Sequence, residues 1–350
     1  MRPHLLLRAD ASSKIGTGHV MRCLALGQAW QDAGGEVTLA WSEMPSALVA
    51  RLRDERFATE RLIAPPASRT EAEETARLAR ARDAAWVVVD GYRFYAGYHQ
   101  HLHDSGLGVM ALDDMAHLER YPVDLLLNQN LASSAALYRG KTAERTELLL
   151  GPRYSLLRRE FRAEFPARVV AAGRARRILV SCGGGDSENI TGRVLRRMAA
   201  TVTGACEVVV LVGAANRHAD ELRRFAPTLP FPCELRVDAR NVAEAMAWAD
   251  VAITAAGSTV WELVSMRLPA LIGAIEENQL AGLAALRSVP FFHAGRFTDL
   301  LAWNLGVEIE RLLQVVTGNG NAAGIDAQGA SRVVEQMDRF RAGSEHLAHR

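Results

Sequence analysis

The sequence predicts an α/β protein made of two nucleotide-binding-type domains facing each other across a cleft. Three observations carry this expectation. Short apolar runs of strand composition alternate with helix-like segments along most of the chain, the pattern of parallel α/β architecture. One such run in each half opens into a glycine-containing turn and then a helix. The length of 350 residues exceeds one small core and suits two domains of ordinary size.

In the first half, strands are expected at 4–8, 36–41, 86–90, 108–113 and 125–128, with a helical segment at 70–83. The apolar run 147–150, followed by Gly151 and Pro152, closes this half. The stretch from Phe161 to Arg177 is rich in Arg and Ala, carries Pro166 and Gly173, and shows no strand pattern. It is read as a linker. A second series of strands follows at 177–181, 206–212, 233–237, 251–254 and 270–272. The Gly- and Asn-rich stretch 317–323 reads as a loop, 330–339 as a terminal helix, and the residues after Gly343 as a frayed tail. The expected division is a first domain over 1–162, a linker over 163–176, a second domain over 177–343 and a tail over 344–350.

Composition narrows the function classes. The net charge of +1 gives no reason to expect a nucleic-acid partner. No window is apolar enough for a membrane span, and the N-terminus reads as a strand rather than a targeting segment. The four cysteines, Cys23, Cys182, Cys206 and Cys233, lack metal-ligand spacing and lie in or beside apolar segments. Free thiols in a reducing cytoplasm are expected, with no metal site and no cofactor.

The most informative motif is Ile15-Gly16-Thr17-Gly18-His19, between an apolar strand and the helix-like run from Val20 to Trp30. Gly16 and Gly18 let backbone approach a ligand, and a helix start favours oxyanionic groups. His19 there can take or give a proton near neutral pH. The same turn can also serve simple packing. In the second half, 183–187 (Gly-Gly-Gly-Asp-Ser) offers amides and a hydroxyl, either to a phosphate or to tight strand–helix packing. Gly257, Ser258 and Thr259 precede another helix, where exposed amides suit a diphosphate and Ser/Thr also suit ordinary capping. Glu262, three residues after Thr259, either closes a capping box or accepts ribose hydroxyls. The 277–279 triplet, Glu-Asn-Gln, follows the strand 270–272 at a position where polar side chains line sites in open sheets.

Taken in order, these pieces resemble the UDP-sugar hydrolases of pseudaminic acid biosynthesis. The likeness rests on Arg8-Ala9-Asp10, the Gly-Thr-Gly-His turn, Met21-Arg22-Cys23-Leu24, Asp90-Gly91-Tyr92, Leu112-Asp113-Asp114 and the run from Asp124 to Asn130. It continues through Leu150 to Tyr154, Leu157-Arg158, Ser181 to Asp186 and Ala255 to Glu262. The family is similar to the UDP-GlcNAc glycosyltransferases of peptidoglycan synthesis, which implies the two-domain GT-B fold. By that resemblance His19 is the catalytic base, and Gly16, Gly18, Tyr92, Asn278, Asp10 and Arg22 are assigned to the sugar side. Gly184, Gly257, Ser258 and Thr259 are assigned to the diphosphate side, and Glu262 to ribose. Backbone near Val212 and Val242 would meet uracil. Arg8 and Asp10 could equally form an ion pair behind the turn. The likeness weakens over 286–306, where Pro290, Phe291 and Phe292 interrupt the expected helix and strand series.

The implied activity is hydrolysis of a UDP-linked 2,4-diacetamido-2,4,6-trideoxy sugar by water attack at the anomeric carbon, with inversion and without a metal. The expected enzyme is a cytoplasmic monomer. A glycosyltransferase on the same scaffold, a UDP-sugar epimerase and a non-catalytic UDP-sugar-binding module are the alternatives. Retention of His19 in its full turn speaks against the last.

Overall fold

The computed structural model describes residues 3–163, 175–275, 277–280, 282–314 and 325–348. By packing, the chain divides into two compact units. The first comprises Met1–Ala11, His19–Arg159 and Asp326–Arg350, and the second Ser12–Gly18 and Glu160–Ile325.

The first unit runs β1 (His4–Ala9), α1 (Gly18–Asp32), β2 (Val37–Trp41), α2 (Ser46–Asp54), β3 (Ala58–Arg61), α3 (Arg69–Ala81) and β4 (Ala84–Asp90). It continues with α4 (Ala96–Asp104), β5 (Gly108–Leu112), β6 (Leu125–Asn128) and β7 (Glu147–Leu150). All seven strands pair in parallel in the order β3-β2-β1-β4-β5-β6-β7. Side-chain alternation sends Leu5, Leu7, Trp86 and Val88 to one face and Leu6, Val87 and Val89 to the other. Both faces are buried under helices, as an all-parallel sheet requires.

The second unit runs β8 (Arg176–Ser181), α5 (Ile190–Thr201), β9 (Cys206–Val212), α6 (Ala219–Phe225), β10 (Cys233–Val237), α7 (Val242–Trp248) and β11 (Val251–Ala255). After these come α8 (Thr259–Ser265), β12 (Ala270–Ala274), α9 (Glu277–Leu280), α10 (Leu283–Arg287), β13 (Phe292–Arg296), α11 (Phe297–Ala302) and α12 (Leu305–Leu313). Its strands are also all parallel, in the order β10-β9-β8-β11-β12-β13. In each sheet the strand order reverses beside the first strand, between β1 and β4 and between β8 and β11. Loops leaving the two strands at such a point diverge and open a crevice at their C-terminal ends.

Three features depart from the sequence expectations. The last helix, α13 (Gly329–Ala348), belongs to the first unit and not to the second. Its Ala330, Val333, Val334 and Met337, at helical spacing, join Leu5, Leu7 and Trp30 in one core. It also runs through the stretch expected to be a tail. The change of unit falls between Arg159 and Glu160, ahead of the expected linker, most of which (164–174) lies outside the described residues, as does the expected loop 317–323. The 286–306 stretch holds β13, whose Phe292 to Arg296 pair in register with Ala270 to Ala274 of β12. His293 and Gly295 interrupt its apolar pattern, so parallel pairing, not local composition, makes it a strand.

Arg8 lies on the Leu6 face of β1 and is fully buried. It pairs with Asp10 at 2.8 Å and with Glu71 of α3, donates to Ser42 Oγ at 2.9 Å, and stacks over Phe94 at 5.0 Å. His99, on α4, is another buried polar group, 3 % exposed, and its Nδ1 has no hydrogen-bond partner among the described residues. Burial, with the charge of His117 adding to it, pushes the His99 pKa down to about 4. The unfolded chain therefore takes up this proton first as pH falls below about 6.5. Stability is expected to drop between pH 6.5 and 4 by an amount on the order of 3 kcal/mol from this group alone. Urea denaturation of His99→Leu against wild type across that range should show a flatter profile for the variant. Parallel profiles would refute the assignment.

Candidate active site

The crevice between β1 and β4 receives its chemistry from three separate segments. His19 and Arg22 stand on the first turns of α1, Asp90 ends β4, and Tyr92 and Asp114 follow β4 and β5. Gly16 takes φ +77°, a left-handed conformation that glycine adopts without steric cost, and its amide donates to Ser12 O at 2.8 Å. The segment closes on itself there, before Gly18 opens the helix.

His19 is 7 % exposed, and its Nδ1 lies 2.7 Å from Asp90 Oδ1. Arg22 grips the same carboxylate through Nε at 3.0 Å to Oδ2 and Nη2 at 2.7 Å to Oδ1. Arg22 Nη2 also lies 3.1 Å from His19 Nδ1, and because the Asp90 carboxylate can only accept, the 2.7 Å contact requires Nδ1 to donate. This assigns the proton to Nδ1 and leaves Nε2 as the basic nitrogen, with no hydrogen-bond partner among the described residues. The other arm of Arg22 donates from Nη1 to Asp114 Oδ1 at 2.7 Å. Burial opposes the Arg22 charge, but Asp114 and Asp90 outweigh it and hold its pKa above the ordinary arginine value. Burial likewise opposes the Asp114 carboxylate, while Arg22 outweighs that and brings it down to about 2.

Tyr92 completes the arrangement. Its hydroxyl donates to Asp114 Oδ2 at 2.9 Å, and its ring meets that of His19 edge to face with centroids 4.8 Å apart. Burial of the hydroxyl end, next to Asp114, raises the phenol pKa, so the group remains a donor at neutral pH. The side chain is nevertheless 41 % exposed and presents its flank to solvent. A base with a free nitrogen, an orienting carboxylate and an exposed aromatic wall are the parts a general base needs.

Asp10, assigned from sequence to the sugar side, lies elsewhere. It is 3 % exposed, both its oxygens are used by Arg8, and Oδ1 also accepts the amides of Ser42 and Glu43. That is the ion pair behind the turn. Asn278 belongs to α9, and its side chain lies outside the described residues.

The second unit separates two turns that look alike in sequence. After β8, Asp186 accepts the amides of Ile190 at 2.6 Å and Thr191 at 3.0 Å, so the start of α5 is satisfied by the protein's own carboxylate. Gly184 there lies close to the end of β9. A Cβ on Gly213, which follows β9, would come within 2.4 Å of Gly184 backbone. After β11, the start of α8 has Ser258 at the cap position with no side-chain cap hydrogen bond, and Gly257 faces open space. The capping box between Thr259 and Glu262 is not formed, because Thr259 is already the first helical residue. Glu262 is half-buried in the first turn of α8. Val212 is buried and its carbonyl accepts from Asp238 N at 2.9 Å, while the Val242 amide donates to Glu160 Oε2 at 3.1 Å. Among the described residues, no group of three or more His, Cys, Asp or Glu is arranged to hold a metal ion, and no helix is long and apolar enough to cross a membrane.

No family model matches the chain. It is similar to a Campylobacter jejuni protein named UDP-2,4-diacetamido-2,4,6-trideoxy-beta-L-altropyranose hydrolase. The two are 24% identical over 269 residues, covering 75% of this chain and 88% of that one. Among solved structures it resembles Acinetobacter baumannii MurG, with a TM-score of 0.60 at 14% identity over 97% of this chain and 100% of that one. It also resembles S. aureus MnaA in a co-structure with UDP, with a TM-score of 0.67 at 11% identity over 98% and 97%. A rhamnosyltransferase, SpnG, complexed with spinosyn aglycone, aligns with a TM-score of 0.61 at 16% identity over 96% of each chain. The fold is GT-B, two parallel-sheet α/β domains.

Replacing Arg22 would leave two carboxylates facing each other without their shared cation. Arg22→Met is expected to cost about 3–5 kcal/mol of stability, the range for breaking a buried ion pair from one side. Chemical denaturation measures it, and a loss below about 1 kcal/mol, the level of an exposed pair, would show that the network is not under this constraint.

Proposed function

We propose that this protein hydrolyses a UDP-linked 2,4-diacetamido-2,4,6-trideoxy sugar to UDP and the free sugar, as a step of pseudaminic acid biosynthesis. The observation that carries the reading is the pairing of His19 with Asp90, with Nε2 left free, in a GT-B chain similar to a hydrolase of that substrate. In this reading Nε2 of His19 takes a proton from a water molecule as its oxygen attacks the anomeric carbon. The bond from that carbon to the UDP oxygen breaks, and UDP leaves with the electron pair from the opposite face, inverting the centre. The proton then passes from the imidazolium to solvent. Asp90 keeps the tautomer and compensates the developing imidazolium charge, and Arg22 holds Asp90 in place.

On the nucleotide side, the uncapped α8 start at Gly257, Ser258 and Thr259 supports a role in holding the diphosphate without a metal. Glu262 is assigned to ribose, and backbone near Val212 and Val242 to uracil. Tyr92, with its exposed flank, is the sugar-facing residue of the first unit, and Asn278 is assigned to the same substrate. Asp10 is left out, since its oxygens are already used.

A second reading, glycosyl transfer to a hydroxyl acceptor, is favoured by the glycosyltransferases among the GT-B neighbours. Purified protein given UDP-2,4-diacetamido-2,4,6-trideoxy-β-L-altropyranose with EDTA and no acceptor separates the two. Hydrolysis predicts UDP and free sugar by NMR, with the inverted anomer first. Substrate that binds and survives would overturn hydrolysis in favour of transfer. His19→Asn is expected to keep UDP affinity and to lose at least about a hundredfold in turnover, within the usual contribution of a general base. Asp90→Asn should lose about 10²-fold or more, because the amide can hold the wrong tautomer. Wild-type turnover in either variant would remove that residue from the mechanism.

A further inference from the structure

Behind the site lies a closed ring of hydrogen bonds that the mechanism above does not use. Asp113 and Asp114 are neighbours in the chain with opposite surroundings. Asp113 points inward, 4 % exposed, and accepts from Tyr138 Oη at 2.6 Å, Tyr121 Oη at 3.0 Å and the Ala116 amide at 2.7 Å. Tyr138 Oη accepts from Asn128 Nδ2 at 2.7 Å, and Asn128 Oδ1 accepts the Asn130 amide at 3.1 Å. Asn130 Nδ2 then donates to Asp114 Oδ1 at 3.1 Å and, at 3.3 Å, to the Asp114 carbonyl, which closes the ring through the peptide bond to Asp113.

Every direction in this ring is set by chemistry. The Asp113 carboxylate only accepts, so the Tyr138 hydroxyl donates to it and must accept from Asn128. That places the amide nitrogen of Asn128 toward Tyr138 and its oxygen toward Asn130. Asn130 in turn presents its own nitrogen, not its oxygen, to Asp114. Asp114 Oδ1 is shared by Asn130 and Arg22, and Oδ2 takes Tyr92.

We propose that Asn130 is a positioning residue. Held by Asp113, Tyr138 and Asn128, it aims the Asp114 carboxylate at Arg22, and through Arg22 it fixes the pair of Asp90 and His19. The consequence for turnover rests on the hydrolytic reading above, whereas the consequence for the His19 tautomer does not.

The test exploits the isosteric change Asn130→Asp. If Asn130 merely fills space, Asp is tolerated at least as well as Ala. If it orients Asp114 by donation, Asp places a second carboxylate against Oδ1 and is worse than Ala. On the donor reading, Asn130→Ala is expected to lower kcat about tenfold and Asn130→Asp about a hundredfold, with KM within about twofold, the pattern of lost alignment rather than lost binding. Independently of any substrate, ¹⁵N-histidine NMR of wild type should show His19 protonated at Nδ1. Asn130→Asp should shift those nitrogens toward a mixture of tautomers, with His19→Asn identifying the resonances. Wild-type kcat and an unchanged His19 pattern in Asn130→Asp would overturn the proposal. Should that variant fail to fold, Tyr138→Phe, which removes one hydroxyl from the ring, must produce the same nitrogen shift, and an unchanged pattern there overturns it equally. A wild-type protein that shows the Nδ1 tautomer but releases no UDP would count against the hydrolytic reading alone.

Discussion

The guanidinium of Arg22 is the constraint on which the first unit's chemistry depends. It is planar and carries donors on three nitrogens, and here all three are spent on two carboxylates. A lysine in the same place could offer a point charge but not a fork that holds Asp90 at two oxygens while reaching Asp114 with the remaining arm. Burying two carboxylates this close would be costly without that cation. With it, Asp90 can remain buried against the imidazole of His19. The basic nitrogen at the crevice is thus a product of an ion-pair arrangement built by α1, β4 and the loop after β5, and not of the glycine turn alone.

Much of the fold was legible because parallel strands buried on both faces must be nearly continuous apolar runs. The runs at 4–8, 86–90, 125–128, 206–212 and 251–254 all became strands with ends moved by a residue or two at most. What escaped detection was whatever pairing decides rather than composition. The strand Ala58–Arg61 is short and polar, at the edge of its sheet, and Phe292–Arg296 carries a histidine, a glycine and an arginine. The terminal helix was legible as a helix, but its attachment to the first unit was not, since apolar residues at 330, 333, 334 and 337 would suit any core.

The candidate site divides along a similar line. His19 stood out because glycines and a helix start mark its position in the sequence. Asp90 and Asp114 are 71 and 92 positions from the residues they bind, and only the strand order β1-β4-β5 brings them there. They were present in the strings that carried the family resemblance, without a role of their own. The second unit shows the converse: of two small-residue turns only the first carries an acid, and the structure shows that this acid serves its own helix. Asp186 neutralises the start of α5, whereas Ser258 makes no side-chain cap hydrogen bond at the start of α8. Helix termini attract anions only when that role is still open.

The geometry at His19 is indifferent to the nucleophile, and that locates the difference between hydrolysis and transfer elsewhere. Nε2 can take a proton from water or from an alcohol with the same orienting carboxylate behind it, so no change in His19, Asp90 or Arg22 would convert one activity to the other. The deciding feature has to be the space beside the base. Tyr92, Tyr95 and Met115 are the large apolar side chains left exposed on the loops after β4 and β5. A surface of this kind can seat the methyl and acetamido groups of a sugar, or it can seat an acceptor. Because Tyr92 is tied to Asp114, and Asp114 to Arg22, the exposed ring and the imidazole it meets edge to face are held by one set of charges.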